Sequence, residues 1–478
     1  MDRMDLLDAA MVTVEPMSQP QHVAAVLMLS PPDDAGPRYV DDLHREALAA
    51  THPIDPRLRR YPYRGRDTRG MWVWRDAENL DKGQHVRRAT LPPGAGHDGF
   101  WQLISELYAE RLDRSHPMWM FYLIDGLDDG RFAFCMKVHH AVMDGVAAFH
   151  ALADALSPDP TRRSMPPIYG AQHAELTVRG DSERGRLPNP FTMLRSLVSA
   201  ATSSAALVEK VVTGELSNLV AGMTTDTTMP PLGAPYTRFN GQLGDERSIA
   251  AGSWSTNRIR AVQDEAAVTG NDVAVAVIAG VLRSWLLDRG ELPEQSLAAL
   301  CPITVRGHEH GSDDEQGNKF GLWQCPLGTH LEDPAERLDL IHRSMAEGKK
   351  QVASRGSAAS LLLLVPAQAL TVLLPKMPLA PKVRTGHNVP ISKVPGPRTE
   401  MYWNGAHVEE IYPIGTIYDG LTLTVMVCTY ADRVGFSYLT SPDVMPDIGS
   451  VIGLTERSLA ELETAVGVPG SYRSAQEE

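Results

Sequence analysis

Residues 131–138 alternate with a period of two: Phe132, Phe134, Met136 and Val138 are large and apolar, and the residues between them are smaller or polar. That is the pattern of a half-buried strand. From 145 to 152 the pattern becomes helix-like, with Asp144-Gly145 as its start signal. Further along, 257–269 suits a helix and 273–287 a second, more buried one. Residues 296–305 lead into a strand, 421–427 alternate as another, and 454–466 close as a helix. Strand and helix patterns thus recur on both sides of a breaker-rich middle stretch, a pattern that permits a mixed α/β chain in two halves.

The middle stretch is rich in breakers. Residues 158–190 concentrate Pro, Gly, Ser and charge, with Pro158-Asp159-Pro160 and Pro166-Pro167 as stops. A helix-like run rich in Ala and Ser follows at 191–223, and Met229-Pro230-Pro231 breaks the chain again. The expected division is an N-terminal lobe at 1–157, a linker with a crossover helix at 158–235, and a C-terminal lobe at 236–478. The crossover helix either packs on the lobes or touches a membrane. Residues 356–375 carry no charge and are long enough to span a bilayer. Ser357, Ser360, Pro366 and Gln368 interrupt them, so the expectation is a broken apolar helix packed on the protein, with or without contact to a bilayer or lipid droplet, in preference to a transmembrane helix.

Composition narrows the function. At 478 residues the chain exceeds one typical core, and 43% hydrophobic with 22% charged residues is a globular balance. A net charge of −14 argues against a nucleic-acid surface. Four scattered cysteines have neither disulfide nor zinc spacing and read as buried small hydrophobes in a reduced compartment. The first residues lack a basic segment followed by an apolar one, so secretion is not expected.

The chemistry concentrates in His139-His140-Ala141-Val142-Met143-Asp144-Gly145, at the junction of the predicted strand and helix. Adjacent side chains in extended chain point to opposite faces, so His139 and His140 cannot share one task. One can face a cleft while the other packs behind it. An imidazole can take a proton from a hydroxyl near neutral pH and return it. Asp144 can orient an imidazole or lock the loop through an ion pair, and Gly145 allows a backbone approach that a Cβ would block. Diverging neighbours with no second ligand cluster do not make a metal site. No Gly-x-Ser-x-Gly elbow is present.

With these residues the chain resembles the bacterial wax ester synthase/diacylglycerol acyltransferase family, within the superfamily of CoA-dependent acyltransferases and condensation domains. Further motifs carry the resemblance in the family's order. They are Leu6-Leu7-Asp8-Ala9-Ala10 with Gln21-His22-Val23, His116-Pro117-Met118-Trp119, Asn271-Asp272, Pro302-Ile303-Thr304-Val305-Arg306, Gly317-Asn318-Lys319-Phe320, and Ser392-Lys393-Val394-Pro395-Gly396-Pro397.

The resemblance implies two chloramphenicol-acetyltransferase-like lobes around a central substrate channel. It implies acyl transfer from fatty acyl-CoA to diacylglycerol, giving triacylglycerol, or to a long-chain alcohol, giving a wax ester. It implies no cofactor or metal, acyl-CoA being a substrate. It makes the second histidine, His140, the general base and His139 a packing and positioning residue. By analogy with a superfamily salt bridge, Asp144 pairs with Arg306. Asn271 orients substrate or touches the His loop, unless it and Asp272 serve as a helix cap. Ser392 donates to a substrate oxygen, unless its motif is only a rigid turn. Pro117 and Trp119 line a tunnel mouth or pack in the core. The expected location is cytoplasmic, peripheral to the inner face of the plasma membrane or to lipid droplets. Lys393 departs from the family's Asn at that position and bears on acceptor choice if it lines the acceptor pocket. Two rival readings are a related transferase with another alcohol or amine acceptor, and a catalytically silent lipid-binding homologue.

Overall fold

A computed structural model describes residues 2–4, 6–15, 19–143, 145–170, 225–305, 319–355 and 384–469. The crossover helix expected at 191–223, the apolar run at 356–375, Asp144 and Arg306 lie outside the described residues. The strands in chain order are β1 (Asp2–Arg3), β2 (His22–Ser30), β3 (Arg60–Tyr63), β4 (Val73–Asp76), β5 (Val86–Thr90), β6 (Trp119–Asp125), β7 (Phe132–His139) and β8 (Ser248–Ser255). Then follow β9 (Ala298–Val305), β10 (Lys319–Pro326), β11 (Val389–Pro395), β12 (Tyr402–Trp403), β13 (Ala406–Ile414), β14 (Thr424–Tyr430) and β15 (Arg433–Thr440).

They form two six-stranded sheets and a small third one. The first sheet runs β12-β13-β2-β7-β6-β5, and the second runs β10-β9-β11-β14-β15-β8. β1, β4 and β3 make the small sheet. The fold is a two-lobed α/β arrangement, as expected, but the lobes do not follow the chain. β12 and β13 belong to the 236–478 stretch assigned to the second lobe, yet β13 pairs antiparallel with β2 and completes the first sheet. The 236–478 assignment is corrected in that respect: residues 402–414 build the lobe that carries the histidine pair.

Alternation sorts the first sheet's side chains. Leu27, Phe134, Met136 and Val138 enter a core shared with helices Tyr39–Ala49 and Gly145–Asp154. Val26, Met28, Ala133 and Cys135 face the other way, against helix Gly96–Ala109 and Ile249, Ala251 and Leu439 of the second sheet. At this seam the sheets approach closely. A Cβ on Gly435 of β15 would come within 3.1 Å of the Ile411 carbonyl and 3.2 Å of the Tyr412 ring, so a larger residue would push the two sheets apart by a few tenths of an ångström.

The second sheet's other face is covered by helices Thr256–Ala266, Gly270–Leu287, Pro334–Arg355 and Ser450–Val466. Helix Gly270–Leu287 is apolar enough to cross a membrane by length and composition, but 72% of it is buried inside the protein. It is the central helix of this core. Val273, Val277, Ile278, Val281 and Trp285 are each fully buried, a gain of roughly 1.5–3 kcal/mol for each large aliphatic side chain. Thr269 caps it: its hydroxyl accepts the Asp272 N–H, and Asp272 accepts the Thr269 N–H in return.

Candidate active site

β7 ends at His139, directly across from His22 of β2. The next residues turn sharply, with the His139 carbonyl accepting from the N–H groups of Val142 (2.9 Å) and Met143 (3.2 Å). His140 is the first residue of that turn and is half-buried. Its N–H donates to the Gln21 carbonyl at 2.8 Å, and the His139 N–H donates to Met118 at 3.0 Å. The two histidines are therefore separated as extended geometry requires. His139 is sealed inside, and His140 stands at the strand's exit.

His139 is hydrogen-bonded at Nδ1 and faces a carboxylate at Nε2. Its Nδ1 accepts the Ala141 N–H at 3.0 Å, so the proton of the neutral ring sits on Nε2. Nε2 faces Glu15 Oε2 at 3.4 Å, both side chains being buried. The other oxygen of Glu15 accepts the Gln21 N–H at 3.1 Å. Burial alone would raise the Glu15 pKa, but His139, the Gln21 N–H and Arg114 outweigh it and hold the carboxyl below its ordinary value.

The face that carries His139 also carries Lys137 and His22, an unusual set of buried basic groups. The Lys137 ammonium donates to the carbonyls of Leu107 (2.5 Å) and Glu110 (2.7 Å), at the C-terminal end of helix Gly96–Ala109. A cation there meets the negative end of the helix dipole. Burial nevertheless lowers the Lys137 pKa to about 8. His22 Nε2 donates to the Tyr108 carbonyl (2.6 Å), and the single Tyr108 hydroxyl proton is shared between the carbonyls of His22 (2.8 Å) and Gly415 (2.5 Å). Burial first, and then the Lys137 charge, push the His22 pKa well below the ordinary value.

The second lobe reaches the histidine turn through its Pro-Gly-Pro motif. A Cβ on Gly396 would meet the Thr429 carbonyl at 2.8 Å, Cys428 Sγ at 3.3 Å and the Phe149 ring at 3.5 Å, so this glycine is the point where β11 and β14 touch the helix that follows His140. Val394 packs in the same core as Phe149, Val142 and Met143. Alternation puts Ser392 on that face too, turned towards the first lobe. Lys393 points the other way. Its Nζ lies 3.7 Å from where a Cβ on Gly270 would be, and burial lowers its pKa although Asp272 lies near enough to oppose the shift. The substituted residue thus stands on the face opposite Ser392, against the start of helix Gly270–Leu287.

Other expected residues fall in different places. Trp119 does not line a tunnel mouth. It is fully buried, donates to the Leu58 carbonyl at 2.8 Å and stacks on His85 with ring centres 4.6 Å apart. Pro117 is buried beside it. Asp272 belongs to the helix cap and accepts from or pairs with His342 Nδ1 at 2.8 Å, while Asn271, half-buried, occupies the helix's first turn. Gly145 opens helix Gly145–Asp154, and among the described residues a Cβ there would meet only Val23 Cγ1, at 3.9 Å. The proposed Asp144–Arg306 pair lies outside the described residues. Glu15 and Lys137 carry no motif in the sequence, and Gln21 enters only within the Gln21-His22-Val23 segment. Their nearest signal was that segment, whose partner strand is more than a hundred residues away.

Among the described residues no cluster of three or more His, Cys, Asp or Glu side chains is placed to hold a metal. An open cleft of about 700 Å³ lies beyond Pro397, lined by Thr256, Arg260, Arg398, Tyr402 and Asp432 among others.

Comparison with known proteins places the chain in a family. Residues 4–274 match the wax ester synthase/diacylglycerol acyltransferase catalytic domain, and residues 316–463 match the C-terminal domain of the same family. A Mycobacterium tuberculosis relative named as a diacylglycerol O-acyltransferase is 35% identical over 472 residues, covering 97% of this chain and 100% of its own. A second from that organism, similarly named, is 33% identical, covering 98% and 100%. The wax ester synthase/diacylglycerol acyltransferase of Marinobacter aquaeolei superposes with a TM-score of 0.75 at 28% identity, over 98% of this chain and 100% of that one. The first condensation domain of the CDA synthetase, at 14% identity and a TM-score of 0.55 over 98% and 96%, shares the fold.

Proposed function

The chain belongs to the wax ester synthase/diacylglycerol acyltransferase family, and from that membership we propose that His140 is the general base of its acyl transfer. The enzyme is an acyl-CoA-dependent O-acyltransferase that makes triacylglycerol from diacylglycerol and wax esters from long-chain alcohols. An alcohol is a weak nucleophile until its proton leaves. His140 takes that proton as the oxygen attacks the thioester carbonyl. The tetrahedral intermediate collapses, the C–S bond breaks, and the departing CoA thiolate recovers the proton from His140. The products are an ester and free CoA, and the base is regenerated.

The observation that carries this reading is the division of labour at the end of β7: His139 is sealed and wired, and His140 sits on the turn with its backbone held by Gln21. A covalent cysteine route finds no support among the described residues. All four thiols are buried, and burial pushes those of Cys135, Cys325 and Cys428 up to about 12. The acceptors are insoluble in water, which supports contact with a membrane or lipid droplet.

The test is free-CoA release from palmitoyl-CoA, with diacylglycerol supplied in vesicles or hexadecanol in detergent. His140→Ala is expected to lower acceptor-dependent release by about 10²- to 10⁴-fold while the protein still floats with the vesicles. Undiminished release by the variant would remove His140 from the mechanism, and failure to float would remove the membrane contact.

A further inference from the structure

Helix Leu6–Val14 delivers Glu15 into the first lobe, where two cations secure the helix end. Arg111 donates to the Glu15 carbonyl at 3.1 Å, and Arg114 donates to the Val12 carbonyl at 2.5 Å. The side chain is 4% exposed. Two nitrogens approach its two oxygens. One is the N–H of Gln21, whose carbonyl in turn takes the His140 N–H. The other is His139 Nε2, 3.4 Å away.

The second contact decides a tautomer. Ala141 N–H points at His139 Nδ1, so that nitrogen must present a lone pair and the ring proton must sit on Nε2. At a buried position, an Nε2 proton needs an acceptor. Glu15 Oε2, 3.4 Å away, is the acceptor in reach. Were the proton on Nδ1 instead, two N–H groups would confront each other inside the turn that carries His140. A glutamine at this position has the right shape and the wrong chemistry: its amide can offer an oxygen to one donor only, and its NH₂ would face the other.

We propose that Glu15 is a positioning residue for acyl transfer: its carboxylate accepts from the His139 Nε2–H and the Gln21 N–H together, and so fixes the ring tautomer and the strand end from which His140 works. This rests on His140 as the base. Glu15 touches neither substrate nor reacting atoms in this account; it acts through His139 and Gln21.

The test uses the full-length enzyme with Glu15→Gln, Glu15→Asp, His139→Asn and the Glu15→Gln/His139→Asn double variant. Two readouts are taken: kcat and KM for palmitoyl-CoA, and the ¹⁵N shifts of His139 in histidine-labelled protein. Glu15→Gln should lower kcat by about 10- to 100-fold with KM unchanged, as loss of a supporting partner typically does. Glu15→Asp should recover part of it. The double variant should be no slower than His139→Asn alone, because both changes break one connection. The His139 shifts should show an Nε2–H ring in the parent and lose that signature in Glu15→Gln.

Multiplying kcat losses in the double variant, or an unchanged His139 signature in Glu15→Gln, would reduce Glu15 to a helix-end packing residue. If Glu15→Gln does not fold, the parent spectrum still decides, since an Nδ1–H ring there contradicts the proposal. Failure of the base assignment is separate: it appears as an active His140→Ala enzyme, whatever tautomer His139 holds.

Discussion

The two large sheets have the same number of strands and opposite interiors. One face of the first sheet buries Lys137, His22 and His139 side by side, each tied to a carbonyl, an N–H or a carboxylate. The helix-covered face of the second is built from residues such as Ala299, Ile303, Ile391, Val425, Val427 and Phe436. Buried polar groups cost free energy unless every partner is in place, whereas apolar ones stabilise by contact alone. The first sheet is therefore organised around holding a reactive turn in one geometry. The second supplies the stability against which that turn is held.

Substituting one tryptophan in each lobe should show this most strongly. Trp119 and Trp285 are both fully buried and both donate through Nε1, to the Leu58 carbonyl (2.8 Å) and to Asp447 Oδ1 (3.2 Å) respectively. Trp119→Ala and Trp285→Ala should each cost about 3–5 kcal/mol in urea unfolding. Only Trp119→Ala should also lower kcat per folded molecule, because the neighbouring Met118 carbonyl holds the His139 N–H. Equal kcat losses in the two variants would erase the distinction between the lobes.

A smaller effect comes from Lys137. Burial lowers its pKa from 10.5 to about 8. Below pH 8 it is protonated folded and unfolded, and its burial cost is fully present. Between about 8 and 10.5 the unfolded chain binds the extra proton, so stability rises with pH. The rise attributable to Lys137 should total about 3 kcal/mol across that window. It should be missing from Lys137→Met when unfolding free energies at pH 7.5 and 10.5 are compared. Parallel pH profiles for the two proteins would mean that the ammonium is not desolvated in solution.

The smallest change sharpens the second lobe's role. Thr269→Ala removes the cap of helix Gly270–Leu287 and should cost about 1 kcal/mol with kcat intact. A kcat loss out of proportion to the melting shift would give the adjoining Asn271-Asp272 pair a part in catalysis beyond capping.

Local patterning carried much of this architecture. The period-two run before the histidines became β7, and the start signal at Asp144-Gly145 preceded helix Gly145–Asp154. The apolar run at 273–287 became the buried helix Gly270–Leu287, and 454–466 lies within helix Ser450–Val466. The motifs named the family. What stayed hidden depends on distant partners. β13 joins β2 across nearly four hundred residues, and no turn or spacing announces it. Glu15 is one acid after an apolar helix until β2 and β7 pair and bring His139 to it. Trp119 sits in a motif that suits a tunnel wall or a core equally, and only its stacking on His85 decides. Lys393 is a matter of strand parity: a single position separates its face from that of Ser392.

The excursion of β13 into the first sheet also sets a timetable for the ribosome. β7, β6 and β5 can gather around β2 once residue 139 has emerged, but the outer edge of β2 has no partner until residue 414 follows. At about 5–20 residues per second that edge stays open for tens of seconds of synthesis. An unpaired apolar strand is an invitation to another nascent chain. The enzyme's exposure to aggregation is thus concentrated before its birth is complete, and a truncated N-terminal half would be left in that state permanently.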